Sequence, residues 1–457
     1  MRAHNRALAN IRTDLSAMLW PPVSQGHAAA LAVMVRQLED SQWLVREALA
    51  ALQFRQLARL AAHCEKYSPL FRRRLRQAGL AAGDLASAEG LRRLPVLRRR
   101  ELQDAGDLFC EEVPAGHAPL SEMRTSGSTG EPVMVRRTSV SNFDWLAITL
   151  RDFFWEGCDF AGRFCAVRGA IAEPTSRKDW GVPVSLLFDS GPSLGIPVTL
   201  AVERQAALIA QFGPDTLLVY PSTLAALAQA CAARGIALPT LRHIRTFGET
   251  LSPQVRADAA RQFGARILDG YSSQEVGHVA SECPDAPLYH VMETVLVEIL
   301  DDRDAPCPPG EIGRVVVTDL RNFATPLIRY DIGDYAEAGG ACPCGRGLPT
   351  LARILGRARN LVRLPDGRRH WPLMGADYFP LRDIAPIRQY QLIQQEIDLI
   401  EFRLVSDAPL SPAQEEEIRA LVGKVFTYPF RVTFTSFDGE IPKGPNGKFE
   451  IFVSRIE

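Results

Sequence analysis

Apolar residues in this chain change their spacing from one region to the next. From Leu44 to Leu80, Leu and Ala recur at helical intervals, and residues 1 to about 100 read as helical on that period. Phe143-Asp144-Trp145-Leu146 through Trp155 predicts a helix with an aromatic face, a pattern that core helices share with pocket-lining ones. Short apolar runs then alternate with helical stretches. The runs are Phe164 to Val167, Thr216 to Tyr220, His243 to Phe247 and Ala265 to Leu268, and the helices are Ala206 to Phe212, Thr223 to Arg234 and Pro253 to Phe263. This β-α-β-α rhythm predicts a largely parallel sheet with helices on its faces. From residue 290 the pattern turns to short alternating strands, at Val295 to Leu300, Arg314 to Asp319 and Leu327 to Tyr330, which read as a small β subdomain. The last 100 or so residues add strands at Tyr390 to Gln395, Leu399 to Val405 and Arg431 to Phe437. Between them Ser411-Pro412-Ala413-Gln414 starts a helix, with Ser as N-cap, Pro at the first turn and Gln three residues on.

Composition narrows the class. With 457 residues, 46% apolar and 23% charged, the chain has the make-up of a folded globular protein of more than one domain. A net charge of −1 creates no general field for nucleic acid or anionic membranes. No apolar run approaches the ~18 residues of a membrane span. Arg2, Arg6 and Arg12 have no apolar segment behind them, so no secretory signal is expected. Nine cysteines, an odd number in a long chain, argue against a disulfide framework and for a reducing, cytoplasmic setting.

Ligands of parallel sheets sit beyond the carboxyl ends of strands. Three predicted strand ends carry polar or special residues: Tyr220-Pro221-Ser222, Phe247-Gly248-Glu249-Thr250 and Asp269-Gly270-Tyr271-Ser272-Ser273-Gln274-Glu275. Upstream, Thr125-Ser126-Gly127-Ser128-Thr129-Gly130 joins hydroxyl donors to glycines, whose backbone N–H groups approach a ligand closely. It suits a nucleotide polyphosphate, though it lacks the Walker lysine and a Ser/Gly turn has the same composition. The arginines 72, 73, 74 and 76 read either as a solvated helix face or as a phosphate patch. Cys283, His290, Cys342 and Cys344 form a Cys3His set that would close a tetrahedral zinc site; otherwise they are unrelated loop residues or a redox-prone pair. His278 reads as a polar loop histidine.

In their order and spacing these motifs resemble the adenylate-forming superfamily of acyl-CoA synthetases, and within it the phenylacetate–CoA ligases. The resemblance runs from about residue 60 to the C-terminus. It implies that loop 125–130 wraps the ATP phosphates, that Gly248 and Glu249 border the adenine and acyl pockets, and that Tyr271 stacks on adenine. Glu275 would hold Mg2+, Gln274 would reach phosphate or carboxylate, Asp334 would grip the ribose, and Arg357 would assist beside the hinge. Lys448, in Pro445-Asn446-Gly447-Lys448, matches the catalytic lysine. Departures are Ser272 for the usual Gly, Gln274 for Thr or Ser, Glu131 where relatives often have Lys, and Arg359 at the hinge.

The resemblance implies an α/β architecture with two parts. A large N-terminal domain would comprise helical residues 1–100 and an adenylating core 101–356, with parallel-sheet subdomains and a small β subdomain; a small mobile α+β domain, 357–457, would deliver the lysine. The implied activity is ATP-dependent ligation of a carboxylic acid, through an acyl or aryl adenylate, to a thiol. CoA is the expected acceptor, with a carrier protein or an amine as alternatives. Trp145, Tyr220 and Phe247 point to an aromatic or apolar acid. A homodimer is compatible with the N-terminal helices. A retired, ligand-sensing relative is the contrasting reading, disfavoured by Lys448, Glu275 and Asp334 standing together.

Overall fold

A computed structural model describes residues 11–16, 18, 20–104, 107–124, 133–357, 361–370, 379–442 and 449–456. Loop 125–130, Glu131, Arg359 and Lys448 lie outside these residues.

The early helical period resolves into α1 (Gly26–Ser41), α2 (Arg46–Tyr67) and α3 (Pro69–Ala78). Ser68 caps α3 by accepting from the Phe71 N–H, and Pro69 occupies the first turn. The arginine cluster on α3 takes neither predicted role as a group. Arg74 is buried and donates to the Pro95 and Ile328 carbonyls, Arg73 pairs with Asp107, and Arg72 donates to the Glu65 and Lys66 carbonyls.

Strands β1 (Leu120–Arg124) and β2 (Met134–Thr138) pair antiparallel on either side of loop 125–132. Then comes the aromatic helix α4 (Ser139–Glu156). Its Ala147, Ile148, Phe153 and Trp155 are core, packed with Leu31, Val35 and Leu38 of α1.

Twelve strands form one sheet. In chain order these are β3 (Phe164–Arg168), β4 (Thr175–Arg177), β5 (Ser193–Pro197), β6 (Thr216–Val219), β7 (His243–Phe247) and β8 (Arg266–Ser273). They continue with β9 (Gly277–Glu282), β10 (Tyr289–Val291), β11 (Val295–Leu300), β12 (Ile312–Asp319), β13 (Tyr330–Ala338) and β14 (Thr350–Arg357). The spatial order is β11-β12-β13-β14-β10-β9-β8-β7-β6-β3-β5-β4. Strands β5, β3, β6, β7 and β8 run parallel, and their Val167, Ile196, Leu217, Val219 and Ile244 are buried, as expected for strands covered on both faces. Helices α5 (Val202–Phe212), α6 (Pro221–Arg234) and α7 (Pro253–Phe263) contribute to that core. Strand β8 is the seam: parallel to β7, with Gly270 opposite Phe247, and antiparallel to β9, with Gly270 opposite Ser281. The strands predicted after residue 290 are therefore an extension of the parallel sheet through that seam.

Leu327 to Tyr330 differs from its predicted strand, since β13 begins only at Tyr330. Arg329 has φ 53°, a left-handed conformation that a strand cannot pass through. It is held there by a two-point ion pair with Glu298 and by the Arg92 and Leu94 carbonyls.

The C-terminal part has a core of its own, built on Leu392, Ile400, Phe402, Ile418, Val422 and Phe426. After a small pair, β15 (Val362–Arg363) and β16 (Arg369–His370), come β17 (Ile387–Glu396), β18 (Leu399–Ser406), α8 (Pro412–Phe426), β19 (Arg431–Ser436) and β20 (Phe452–Ser454). The sheet order is β19-β18-β17-β20. Helix α8 has the predicted reciprocal cap: Ser411 Oγ accepts from the Gln414 N–H, and Gln414 Oε1 accepts from the Ser411 N–H. No described helix is long and apolar enough to cross a membrane.

Candidate active site

The polar strand ends meet at the carboxyl edge of the parallel strands. Just past β6, Ser222 lies in the first turn of α6, where backbone N–H groups lack helical partners and the helix dipole favours an anion. Glu249, two residues past β7, supplies that anion: Ser222 N donates to its Oε2 at 2.9 Å and Ser222 Oγ to its Oε1 at 3.1 Å. The rings of Tyr220 and Phe247 face each other with centroids 4.5 Å apart. The backbone N–H of Phe449, the residue after Lys448, also donates to Glu249 Oε1, at 3.4 Å. The C-terminal segment is thus docked where β6 and β7 end.

Across the seam, Tyr271 Oη donates to Asp334 Oδ2 at 2.8 Å, and Arg357 Nε meets Asp334 Oδ1 at 2.8 Å. Sheet register produces this line, because Asp334 lies opposite Arg357 in the β13–β14 pair. Burial, then the Asp334 carboxylate, push the Tyr271 phenol far above its usual range and keep it a donor. Glu275 is buried and pairs with Arg99, Nη1 to Oε1 at 2.8 Å. Arg99 is not among the residues that the sequence marks as functional; it stands in the run Arg98-Arg99-Arg100. Nothing in the run announces a partner: Leu97 bridges to Tyr330 at the start of β13, and that pairing carries Arg99 to Glu275.

A second cluster lies where helix α4 faces β9. The Arg245 guanidinium pairs with both Asp152 and Glu156 of α4, and all three are buried. Burial alone would raise the Asp152 carboxyl, but Arg245 and then His278 hold it well below the carboxylate range. His278 belongs to strand β9, in contrast to the loop position expected, and it is buried. Its Nε2 lies 3.1 Å from Asp152 Oδ2 and 2.9 Å from Ser281 Oγ, and its ring sits edge-on to Trp145 with centroids 5.2 Å apart. A cavity of about 20 Å³ lies here, lined by Trp145, His278, Arg137, Gly277, Thr294 and Asp319 among others. Gly277 has φ 101°, and a Cβ there would stand 3.5 Å from both the Arg137 guanidinium and the Trp145 ring. Arg137 Nη2 donates to the Gln274 carbonyl at 2.7 Å, whereas the Gln274 side chain faces solvent. Of the three predicted pocket residues, only Trp145 lines this cavity; Tyr220 and Phe247 sit at the strand ends.

The Cys3His set converges. The ligand atoms of Cys283, His290, Cys342 and Cys344 lie within 4.8 Å of one another. Cys283 and Cys342 sulfurs are 3.7 Å apart, and Cys344 Sγ is 3.3 Å from His290 Nε2. Two sulfurs bound to one zinc at ~2.3 Å with a tetrahedral angle stand roughly 3.8 Å apart, whereas a disulfide needs ~2.05 Å. All nine cysteines are free thiols. Burial, then Arg346 and Arg151, push His290 down to about 4, which leaves a neutral imidazole free to ligate.

The sequence pattern that defines AMP-binding enzymes matches residues 87–323. The chain belongs to the AMP-binding enzyme family. That match spans the strand ends at β6, β7 and β8, with Glu275 at their edge; Asp334, Arg357 and the C-terminal sheet lie beyond it. This AMP-binding enzyme is 29% identical to the phenylacetate-coenzyme A ligase of Thermus thermophilus over 375 residues, 78% of this chain and 80% of that one. Its fold matches 2-hydroxyisobutyryl-CoA ligase in the postadenylation state, in complex with 2-HIB-AMP, with a TM-score of 0.72 at 18% identity over 91% of each chain. Against the same ligase in complex with 2-HIB-AMP and CoA in the thioesterification state, the TM-score falls to 0.60 at 19% identity, again over 91% of each chain.

Proposed function

We propose that this enzyme activates a small carboxylic acid with ATP, releasing pyrophosphate, and transfers the acyl group from the adenylate to the thiol of CoA. The observation that carries the reading is the docking of Phe449 on Glu249. It brings the segment that follows Lys448 to the carboxyl edge of the sheet, beside the line Tyr271–Asp334–Arg357 and the carboxylate of Glu275. A carboxylate attacking the α-phosphate brings two anions together, so the chemistry needs fixed and mobile cations there. Lys448 is the mobile one, and loop 125–130 cradles the phosphates through Thr125, Ser126, Ser128, Thr129 and the glycines 127 and 130. Tyr271, Gly248 and Glu249 border the nucleotide, Gln274 reaches its phosphates or the acid, and Asp334 with Arg357 holds the ribose. Glu275 is the carboxylate that would hold Mg2+, which supplies charge neutralisation on the polyphosphate; its ion pair with Arg99 supports a site built for a cation partner. Trp145, Tyr220 and Phe247 shape the acid site.

Residues 101–356, with the helical region 1–100, form the adenylating part, and 357–457 form a mobile domain that turns after adenylation to admit the thiol. The separate C-terminal core supports this division. Cys283, His290, Cys342 and Cys344 hold a structural zinc that ties the β9–β10 connection to the segment before β14. The deciding experiment measures pyrophosphate release with ATP and Mg2+ over aryl, aryl-acetic and aliphatic acids, with and without CoA, for wild type and Lys448→Ala. Loss of one such charge stabiliser lowers the rate about 10²–10³-fold. Turnover that needs CoA and falls to this extent supports the reading; release unaffected by the substitution refutes it.

A further inference from the structure

We propose that Arg168 selects the acid, and that the substrate carries a second carboxylate at the end away from the carboxyl that is activated. This rests on the ligase reading above and names the substrate class of that same site.

Arg168 is the last residue of β3, so it stands at the carboxyl edge of the parallel strands, as Tyr220 and Phe247 do. Strand β6 lies between β3 and β7, and two strand spacings of ~4.8 Å each separate Arg168 from Phe247 along the sheet. The arginine side chain bridges that gap. Its guanidinium carbon lies over the Phe247 ring, 5.5 Å from the centroid, and that ring faces Tyr220. Stacking on an aromatic face consumes no N–H, so the guanidinium keeps its donors for a ligand.

Among the described residues, no carboxylate pairs with Arg168 and no acceptor takes a hydrogen bond from its side chain. The other arginines of the site are engaged, Arg99 with Glu275 and Arg357 with Asp334. Arg168 is exposed and the Tyr220 and Phe247 rings are half-buried, so a molecule lying on this edge reaches all three.

The placement of the other groups sets the direction of the acid. The line Tyr271–Asp334–Arg357 starts from β8, and Phe449 brings the segment after Lys448 to Glu249, just past β7. The carboxyl to be activated faces that side, and the rest of the acid extends over Phe247 and Tyr220 toward β3. Glu249, the carboxylate of the same edge, is held by Ser222 and the Phe449 N–H, which leaves Arg168 as the uncompensated charge at the far end. A planar guanidinium fork meets a carboxylate at two points, a match that a hydrocarbon tail cannot make.

The test uses the full chain and acid pairs differing by one carboxylate: benzoate with 1,3- and 1,4-benzenedicarboxylate, phenylacetate with 4-carboxyphenylacetate, and hexanoate with hexanedioate. The readouts are kcat/KM for pyrophosphate release at low and high salt and, independently, binding of each acid in the presence of AMP by calorimetry. Wild type should favour the dicarboxylate by about 10-fold in at least one pair, and the advantage should shrink in about 0.5 M NaCl, because exposed charges are screened. Arg168→Met keeps an apolar stem against Phe247 and should bring the ratio to about one, the loss falling on the dicarboxylate. Arg168→Glu should reverse the sign and favour 4-(aminomethyl)benzoate over 1,4-benzenedicarboxylate.

Equal treatment of all pairs by wild type, in binding as well as turnover, overturns the inference. So does a preference that Arg168→Met keeps, including a fall shared equally by both members. An Arg168→Met effect confined to KM for CoA or ATP also overturns it, since the guanidinium would then serve a phosphate. Failure of the ligase reading looks different: no acid gives Lys448-dependent pyrophosphate release, while the calorimetric preference and its loss in Arg168→Met still report on Arg168.

Discussion

Replacing Arg151 with Met should destabilise the fold by about 3–5 kcal/mol. Arg151 is fully buried on α4 and donates from Nη1 to both oxygens of Glu293, at 2.7 and 2.9 Å. Ser41, the last residue of α1, adds a hydrogen bond to Glu293 Oε1 at 2.9 Å, and Gln53 of α2 donates to the Glu293 and Val295 carbonyls at 3.0 and 3.1 Å. The pair therefore joins the N-terminal helices to α4 and to the turn entering β11. Met retains much of the apolar stem but leaves the Glu293 carboxylate buried with one hydroxyl in place of a guanidinium, and that uncompensated charge sets the cost. Glu293→Leu strands the guanidinium and should cost a similar amount. The double variant removes both charges, and well-packed apolar replacements of buried pairs are often close to neutral. Urea unfolding followed by intrinsic fluorescence is the assay. With m of at least about 3 kcal/mol/M for a chain of this size, each single variant should lower the midpoint by roughly 1 M. The cycle should show strong coupling, the double costing much less than the sum. Single variants that cost under about 1 kcal/mol, or a double that equals their sum, would refute the argument.

Three further outcomes follow from other parts of the molecule. Arg99→Met should strand the Glu275 carboxylate and lower the melting temperature; millimolar Mg2+ should restore more of the loss than it adds to wild type, and equal Mg2+ effects would remove Glu275 from the metal. Cys342→Ser should take bound zinc, measured by elemental analysis, from about one per chain to near zero and lower the melting temperature; wild type purified without zinc and indifferent to chelator would contradict the assignment. Asp269, whose carboxyl burial pushes up to about 7 despite bonds from Thr246 and Tyr289, makes a pH prediction. Because the folded value is raised, its contribution is full below about pH 4 and is lost as pH rises to 7, on the order of 4 kcal/mol in all. Asp269→Asn should therefore gain on wild type between those limits in urea midpoints, and a constant difference across pH would refute it.

The parts of the molecule governed by local rules were legible in the sequence. The cap at Ser411, the helix 253–263, and the strands 243–247 and 295–300 follow from periodicity and terminal chemistry, which act within a few residues. The Cys3His convergence was legible as a set of ligand types, although no local rule connects Cys283 with Cys342. What the sequence hid depends on register and on pairing between distant segments. Arg99 finds Glu275 only because Leu97 adds to the start of β13. Arg329 breaks a strand-like run because Glu298 and two carbonyls from the 92–94 segment hold it in the left-handed region. His278 looked like a loop residue because Gly277 and its neighbours carry turn-like composition; the tight start of β9 next to Arg137 and Trp145 is the reason for that glycine.

Strand β8 explains why these residues converge. A strand that is parallel to one neighbour and antiparallel to the other joins two kinds of sheet, and its exit is the one place where both can contribute side chains. From the parallel side comes Glu249, two residues past β7 and hydrogen-bonded to Ser222 in the first turn of α6. From the antiparallel side come Asp334 and Arg357, aligned by the β13–β14 register and joined to Tyr271 of β8 itself. A slip of one residue of β9 against β8 would turn His278 away from Asp152, while the β7–β8 pairing keeps Tyr271 facing Asp334. The line Tyr271–Asp334–Arg357 thus depends on the β7–β8 and β13–β14 registers, and the contact of His278 with the buried Asp152–Arg245 pair depends on that of β9.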